Sequence, residues 1–144
     1  MLNNIPKISR SFLEKSVIVG NPHLYWVGKD SDSAIVKQIA EEFVSKKDMQ
    51  LVYLDCRTLT TKEELRNRIL VENAENIVLY FDYITEVPET EDSHAIVESI
   101  RYILKEGRYF ACEYKKVIAT SLCSQLEGIK KYMPFICAQS LFEE

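Results

Sequence analysis

Short apolar runs that stop abruptly at a polar or small residue constrain this chain more than any other feature. Leu24-Tyr25-Trp26-Val27 ends in Gly28, Leu51-Val52-Tyr53-Leu54 in Asp55, Ile77-Val78-Leu79-Tyr80-Phe81 in Asp82, and Val117-Ile118-Ala119-Thr120 in Ser121. Phe135-Ile136-Cys137-Ala138 is a weaker fifth run. The runs are continuous rather than alternating and rich in β-branched and aromatic residues, the pattern of strands covered on both faces. Between them the apolar period changes to that of a helix. Ile35, Ile39 and Phe43 recur with Val36 and Ala40 beside them, and Ile96, Val97, Ile100, Ile103 and Leu104 form a second stripe. Asp32 and Ser33 are the expected N-caps of the first helix, and Thr61 with Glu64 reads as a capping box ahead of Leu65 and Ile69. Ser93 opens the third helix, and Gly107 stands where a left-handed C-cap favours glycine. Ser124 and Glu127 are expected to cap a short fourth helix, and Ile8, Phe12 and Leu13 mark a short N-terminal helix at about 6–16. Strand–helix alternation predicts right-handed βαβ units, hence an α/β three-layer αβα sandwich around a mostly parallel five-stranded sheet. The expectation is a single domain, 1–144, with its α/β core at about 23–140.

Composition narrows the functional classes. The chain has 144 residues, 47% hydrophobic and 28% charged, and a net charge of −4. Phosphate backbones are bound by clustered basic surface, whereas Lys46 and Lys47, Lys115 and Lys116, Lys130 and Lys131 stand as isolated pairs. No strong nucleic-acid signature is present. No apolar run approaches the roughly 18 residues of a membrane span, and the start, Met1-Leu2-Asn3-Asn4-Ile5-Pro6-Lys7, lacks the apolar stretch of a signal peptide. A cytoplasmic location is expected. Cys56, Cys112, Cys123 and Cys137 form no C-x-x-C pair, and His23 and His94 have no partner at ligand spacing, so neither a metal nor a cofactor is expected.

In a parallel sheet of this kind, ligands bind beyond the carboxyl ends of the strands. The residues there resemble the AAA+ domain of bacterial sigma-54-dependent transcriptional activators. Tyr80-Phe81-Asp82-Tyr83-Ile84-Thr85-Glu86-Val87-Pro88 resembles the FLDEIGELP stretch around Walker B. Ile103-Leu104-Lys105-Glu106-Gly107-Arg108-Tyr109 resembles VLQEGEF, and Lys116-Val117-Ile118-Ala119-Thr120-Ser121 resembles the RVIAATN sensor strand. Leu51 to Leu59 resembles FVAVNCAAL, and Pro134 to Leu141 resembles FPIHLPPL. The five segments occur in the family's order and cover most of the chain from Leu24 onward. The resemblance implies a P-loop NTPase fold with strand order 5-1-4-3-2.

The departures from that family fall on its chemistry. Laid on the phosphate-binding pattern G-x-x-x-x-G-K-[ST], the stretch from Gly28 to Ile35 keeps only Gly28. Ser33 stands for the second glycine, Ala34 for the lysine and Ile35 for the magnesium hydroxyl, while Asp30 and Asp32 add negative charge where phosphates would lie. Asp82 is retained at Walker B, but Tyr83 replaces the glutamate that orients water, and a phenol with pKa near 10 is a poor base at neutral pH. The sensor asparagine falls on Leu122, or on Ser121 with one gap. No helical lid follows the fifth strand in this chain. The interval from Leu59 to Ile77 holds no GAFTGA loop for a sigma factor. Gly28 and Asp82 are therefore read as vestigial cofactor-binding positions, with no catalytic and no metal residues. The expected function is that of a pseudo-ATPase, a catalytically inactive AAA+-like module in transcription regulation, with a protein partner or AAA+-like self-association. Alternatives are a non-hydrolysing nucleotide-binding switch, a receiver-like domain, for which Val27-Gly28-Lys29 supplies no acids after the first strand, and an unrelated enzyme built on Tyr83, Glu86 and His94.

Overall fold

The computed structural model describes residues 23–27, 30–122 and 138–140, with side chains from 33 to 122. The expected helices at about 6–16 and after Ser124 lie outside the described residues, as do residues 135–137 of the fifth apolar run. The elements are β1 (His23–Val27), α1 (Asp30–Lys46), β2 (Gln50–Asp55), α2 (Lys62–Ile69), β3 (Ile77–Asp82), α3 (Ser93–Glu106), β4 (Arg108–Tyr109), β5 (Cys112–Glu113), β6 (Lys116–Leu122) and β7 (Ala138–Ser140). Five strands form one sheet in the order β2-β3-β6-β1-β7, and every pairing in it is parallel. β4 and β5 make a separate antiparallel hairpin, an element with no counterpart among the sequence-based expectations.

Period two divides each strand between two covering layers. Val78 and Tyr80 of β3 and Ile118 of β6 pack on Val36, Ile39, Ala40, Phe43 and Val44 of α1. The alternate residues, Ile77, Leu79, Phe81, Val117 and Ala119, face the other way. With Leu54 of β2 they meet Leu65 and Ile69 of α2 and Ile96, Ile100, Ile103 and Leu104 of α3. Helices therefore cover both faces of the sheet. All of β3 is buried, and so is β6 up to its last residue, which is why these strands read as unbroken apolar runs. Each fully buried aliphatic side chain contributes about 1.5–3 kcal/mol of transfer free energy.

Local signals set the helix ends. Thr61 and Glu64 form the capping box: the Thr61 hydroxyl accepts from the Glu64 N–H and the Glu64 carboxylate accepts from the Thr61 N–H. Gly107 ends α3 in the left-handed region, with φ 73° and ψ 13°, and donates to the Ile103 carbonyl at 2.7 Å. The expected start of α1 is corrected. The helix begins at Asp30, so Asp32 and Ser33 lie in its first turn rather than at its cap. α3 begins at Ser93 as expected, and Asp92 before it turns its carboxylate to the Lys62 N–H at 3.0 Å, tying the starts of α2 and α3 together. Among the described residues no helix is long and apolar enough to cross a membrane.

Removing the cap by Thr61→Ala is expected to cost about 1 kcal/mol, and truncating the core by Ile100→Ala about 2–5 kcal/mol. Urea unfolding followed by circular dichroism checks both. An unchanged midpoint in Thr61→Ala would show that the box does not hold α2.

Candidate functional site

The α1-facing side of the sheet is apolar along most of its length and polar at its carboxyl edge. Asp82 lies two residues beyond Tyr80 on β3, and Thr120 two beyond Ile118 on β6, so both project toward α1. Tyr53 of β2 is level with Tyr80 in the parallel register, and its phenol is long enough to reach forward to Asp82. The Asp82 Oδ1 accepts a hydrogen bond from Ser33 Oγ at 2.6 Å and another from Thr120 Oγ1. Its Oδ2 accepts from Tyr53 OH at 2.6 Å. The Ser33 and Thr120 hydroxyls are themselves 3.3 Å apart, and Tyr80 OH donates to the Ser33 carbonyl at 3.4 Å. Asp82 is only 3% exposed. One carboxylate thus joins α1, β2, β3 and β6.

Burial, and then the hydrogen bond and charge of Asp82, push the Tyr53 phenol well above its ordinary pKa, so it remains a donor at neutral pH. The Lys37 ammonium sits 4.0 Å from the centre of the Tyr53 ring, placing a cation on the outer face of the same ring. Beyond the strand ends lies a second group. Arg57 binds Asp55 through Nε at 3.0 Å and Nη2 at 2.8 Å. The Arg57 hydrogen bonds hold the Asp55 carboxyl below the usual carboxylate range. The same guanidinium lies 3.8 Å from the centre of the Tyr83 ring. Tyr83 adopts the left-handed region, with φ 57° and ψ 50°. That is an uncommon conformation for an aromatic residue, and it costs of order 1–3 kcal/mol where the surroundings impose it.

Only Gly28 and Lys29, both outside the described residues, separate β1 from α1. Asp30 and Asp32 are helical rather than part of a loop. Because the connection is so short, the hydroxyl that meets the strand-end acid belongs to Ser33. Lining the motif up without gaps gives Ser33 to the second glycine and Ile35 to the hydroxyl position. Ser121 is 1% exposed, with its Oγ 3.4 Å from Thr85 Oγ1, while Leu122 is half-buried. Tyr83 is buried beneath Arg57. Among the described residues, His94 lines a cleft of about 350 Å³ with Val87, Glu89, Ser93, Val97 and Glu98, a lining that includes neither Tyr83 nor Glu86. Among the described residues no three His, Cys, Asp or Glu side chains gather as a metal site. Sequence reasoning singled out Asp82 but missed its partners Tyr53 and Thr120 and the cations Lys37 and Arg57. Period-two counting would have put Tyr53 and Thr120 on the face of Asp82 had the strand register been known.

A bond to a charged group is worth roughly 1.5–3 kcal/mol, so Thr120→Val is expected to destabilise the fold by about that amount in urea titrations. Burial also raises the phenol pKa of Tyr80 and Tyr114, as it does that of Tyr53. A raised folded-state value gives stability that is complete below the unfolded pKa of about 10 and is lost as pH rises through the folded value. Absorbance titration should therefore find these three of the eight tyrosines silent near pH 10 and ionising only with alkaline unfolding. Ordinary titration of all eight would contradict the buried network.

No protein-family model and no curated protein matches the chain. Solved structures do. Rif2 in complex with the C-terminal domain of Rap1 aligns with TM-score 0.61 at 13% identity, covering 94% of this chain and 51% of that one. Saccharomyces cerevisiae RIF2 aligns with TM-score 0.56 at 12% identity, covering 94% and 54%. A DNA replication initiation factor aligns with TM-score 0.60 at 12% identity, covering 96% and 45%. The chain spans about half the length of each of these proteins. What it shares with them, over nearly all of its own length, is the α/β fold.

Proposed function

We propose that this chain is a non-hydrolysing AAA+-like domain, a degenerate relative of the sigma-54-dependent activator core, that serves as a protein-binding regulatory module. The observation that carries this reading is the state of Asp82 beside the short β1–α1 connection. A magnesium-holding acid must offer a lone pair outward, together with a backbone cradle for phosphates. Here hydroxyls of Ser33, Tyr53 and Thr120 engage both Asp82 oxygens, and α1 begins only two residues after β1 ends. Tyr83, under Arg57, offers no base for water. The strand order also supports a P-loop NTPase lineage. With the five strands of the parallel sheet numbered along the chain, β2-β3-β6-β1-β7 becomes 2-3-4-1-5, the order the resemblance implies read from the other edge.

Protein binding is supported by Rif2, a protein of the same fold solved in complex with the C-terminal domain of Rap1. The sigma-54 activator resemblance points to transcription regulation as the setting. Direct contact with a sigma factor is not part of the proposal, because α2 and one short 3-10 turn at Ala74–Asn76 occupy the interval where that family carries its contact loop.

Isothermal titration with magnesium-ATP, paired with a phosphate-release assay, tests the reading. The expected result is no saturable heat and no turnover. Measurable turnover would overturn it. Binding without turnover would favour the nucleotide-switch alternative, and a ligand present at a hundred times its dissociation constant would then raise stability by about 2.7 kcal/mol in a thermal-shift scan.

A further inference from the structure

β2 is an outermost strand of the parallel sheet. β3 lies along one side of all six of its residues, and among the described residues no strand lies along the other. A free strand edge presents backbone N–H and C=O groups that invite pairing with another chain. The composition of β2 strengthens that invitation. Gln50-Leu51-Val52-Tyr53-Leu54-Asp55 holds no glycine or proline, has four consecutive aliphatic or aromatic residues, and carries its one charge at the last position. Both of its faces are covered, Val52 and Leu54 toward α2 and α3 and Leu51 and Tyr53 toward α1. The edge is what another strand could reach.

Two side chains occupy that edge. Carbonyls of alternate residues in a strand point the same way, so those of Leu51, Tyr53 and Asp55 share one side. Arg68 Nη2 donates to the Tyr53 carbonyl. Thr58 Oγ1 donates to the Asp55 carbonyl at 2.8 Å. Arg68 and Thr58 are both exposed residues, and they approach these oxygens from outside the sheet. The sequence sets where each stands. On α2, Leu65 and Ile69 are buried, and Arg68 lies about 60° round the helix from one and about 100° from the other. Its apolar stem can therefore follow the flank of the helix to the strand while the guanidinium stays at the surface. Thr58 is brought back to Asp55 by the 3-10 turn Cys56–Thr58.

Antiparallel pairing of two β2 strands about a two-fold axis at Tyr53 would set Tyr53 against Tyr53 and Leu51 against Asp55, each pair exchanging backbone hydrogen bonds. The central pair needs the carbonyl that Arg68 holds, and the outer pairs need the one that Thr58 holds. Pairing must therefore break a charge-assisted bond in each subunit. It also brings the two Arg68 guanidinium groups toward the same axis, where like charges oppose one another.

We propose that Arg68 is an edge guard: by holding the Tyr53 carbonyl it keeps β2 from pairing with β2 of a second copy, and loss of its guanidinium turns this strand into a self-association edge. The proposal rests on the strand order and on two hydrogen bonds, and it is independent of whether the domain binds nucleotide.

Sedimentation velocity and amide hydrogen exchange on the full chain, from micromolar to near-millimolar concentration, test it. Arg68→Met keeps an unbranched stem and removes the donors and the charge. It is expected to self-associate more tightly than the wild type by roughly tenfold or more, since each subunit no longer gives up a bond to a charged group. Amides of residues 51–55 are expected to exchange more slowly as its concentration rises, and those of the wild type to show no such change. Arg68→Lys restores a cation and a donor and is expected to return association toward the wild-type level. Arg68→Ala makes the same comparison should Arg68→Met lose the native circular dichroism spectrum. A donor-free variant that associates no more than the wild type would overturn the proposal. So would association that leaves exchange in β2 unchanged, or an Arg68→Lys variant that associates as strongly as Arg68→Met.

Discussion

The carboxylate of Asp82 is the interaction on which the carboxyl edge of this sheet depends. Hydrophobic packing holds the two layers of helix against the strands, but packing is non-directional and does not fix how strand ends line up. Three hydroxyls converging on one buried acid do. Ser33 brings the start of α1, Tyr53 the end of β2 and Thr120 the end of β6 to the tip of β3. A buried acid is tolerated only where its lone pairs are satisfied, so the network and the packing around it require each other.

That arrangement also shows how the carboxyl edge of a parallel sheet can satisfy its polar groups from within the protein. The edge of a parallel sheet at a topological switch leaves polar groups to be satisfied whether or not a ligand arrives. In this chain protein hydroxyls satisfy the acid, and a guanidinium lies over the neighbouring aromatic ring. Solved structures that share the fold at 12–13% identity show how far sequence can drift while the layered architecture survives. The architecture needs apolar periodicity and strand ends more than any particular motif.

Much of the fold was legible in the sequence, because the features that specify it are local. The four strong apolar runs, the Thr61–Glu64 box and the glycine at 107 each announce their own element. The hairpin of β4 and β5 was hidden: it has two residues per strand, and Phe110 at its tip takes a positive φ of 53° with no glycine to signal it. The start of α1 was misplaced because Asp32 and Ser33 carry the chemistry of caps. A long-range partner claims the Ser33 hydroxyl instead. For the site, the strand-end acid was visible and its partners were not. Tyr53 and Thr120 lie 29 and 38 positions from Asp82 in sequence. Only the register brings them together, and no local pattern encodes it.

The strand order has a consequence for how the chain acquires its structure. β2 and β3 are neighbours in both sequence and space, so their pairing closes a short loop and is available early. β1 has no such neighbour. It pairs with β6 on one side and β7 on the other, and both arrive only after most of the chain. Closing so long a loop is entropically expensive and slow. During vectorial synthesis β1 must therefore wait, its two edges unpaired, until β6 emerges and inserts between it and β3. Through that interval the first strand is the segment most exposed to mispairing, and β6 completes the sheet for the strands on either side of it.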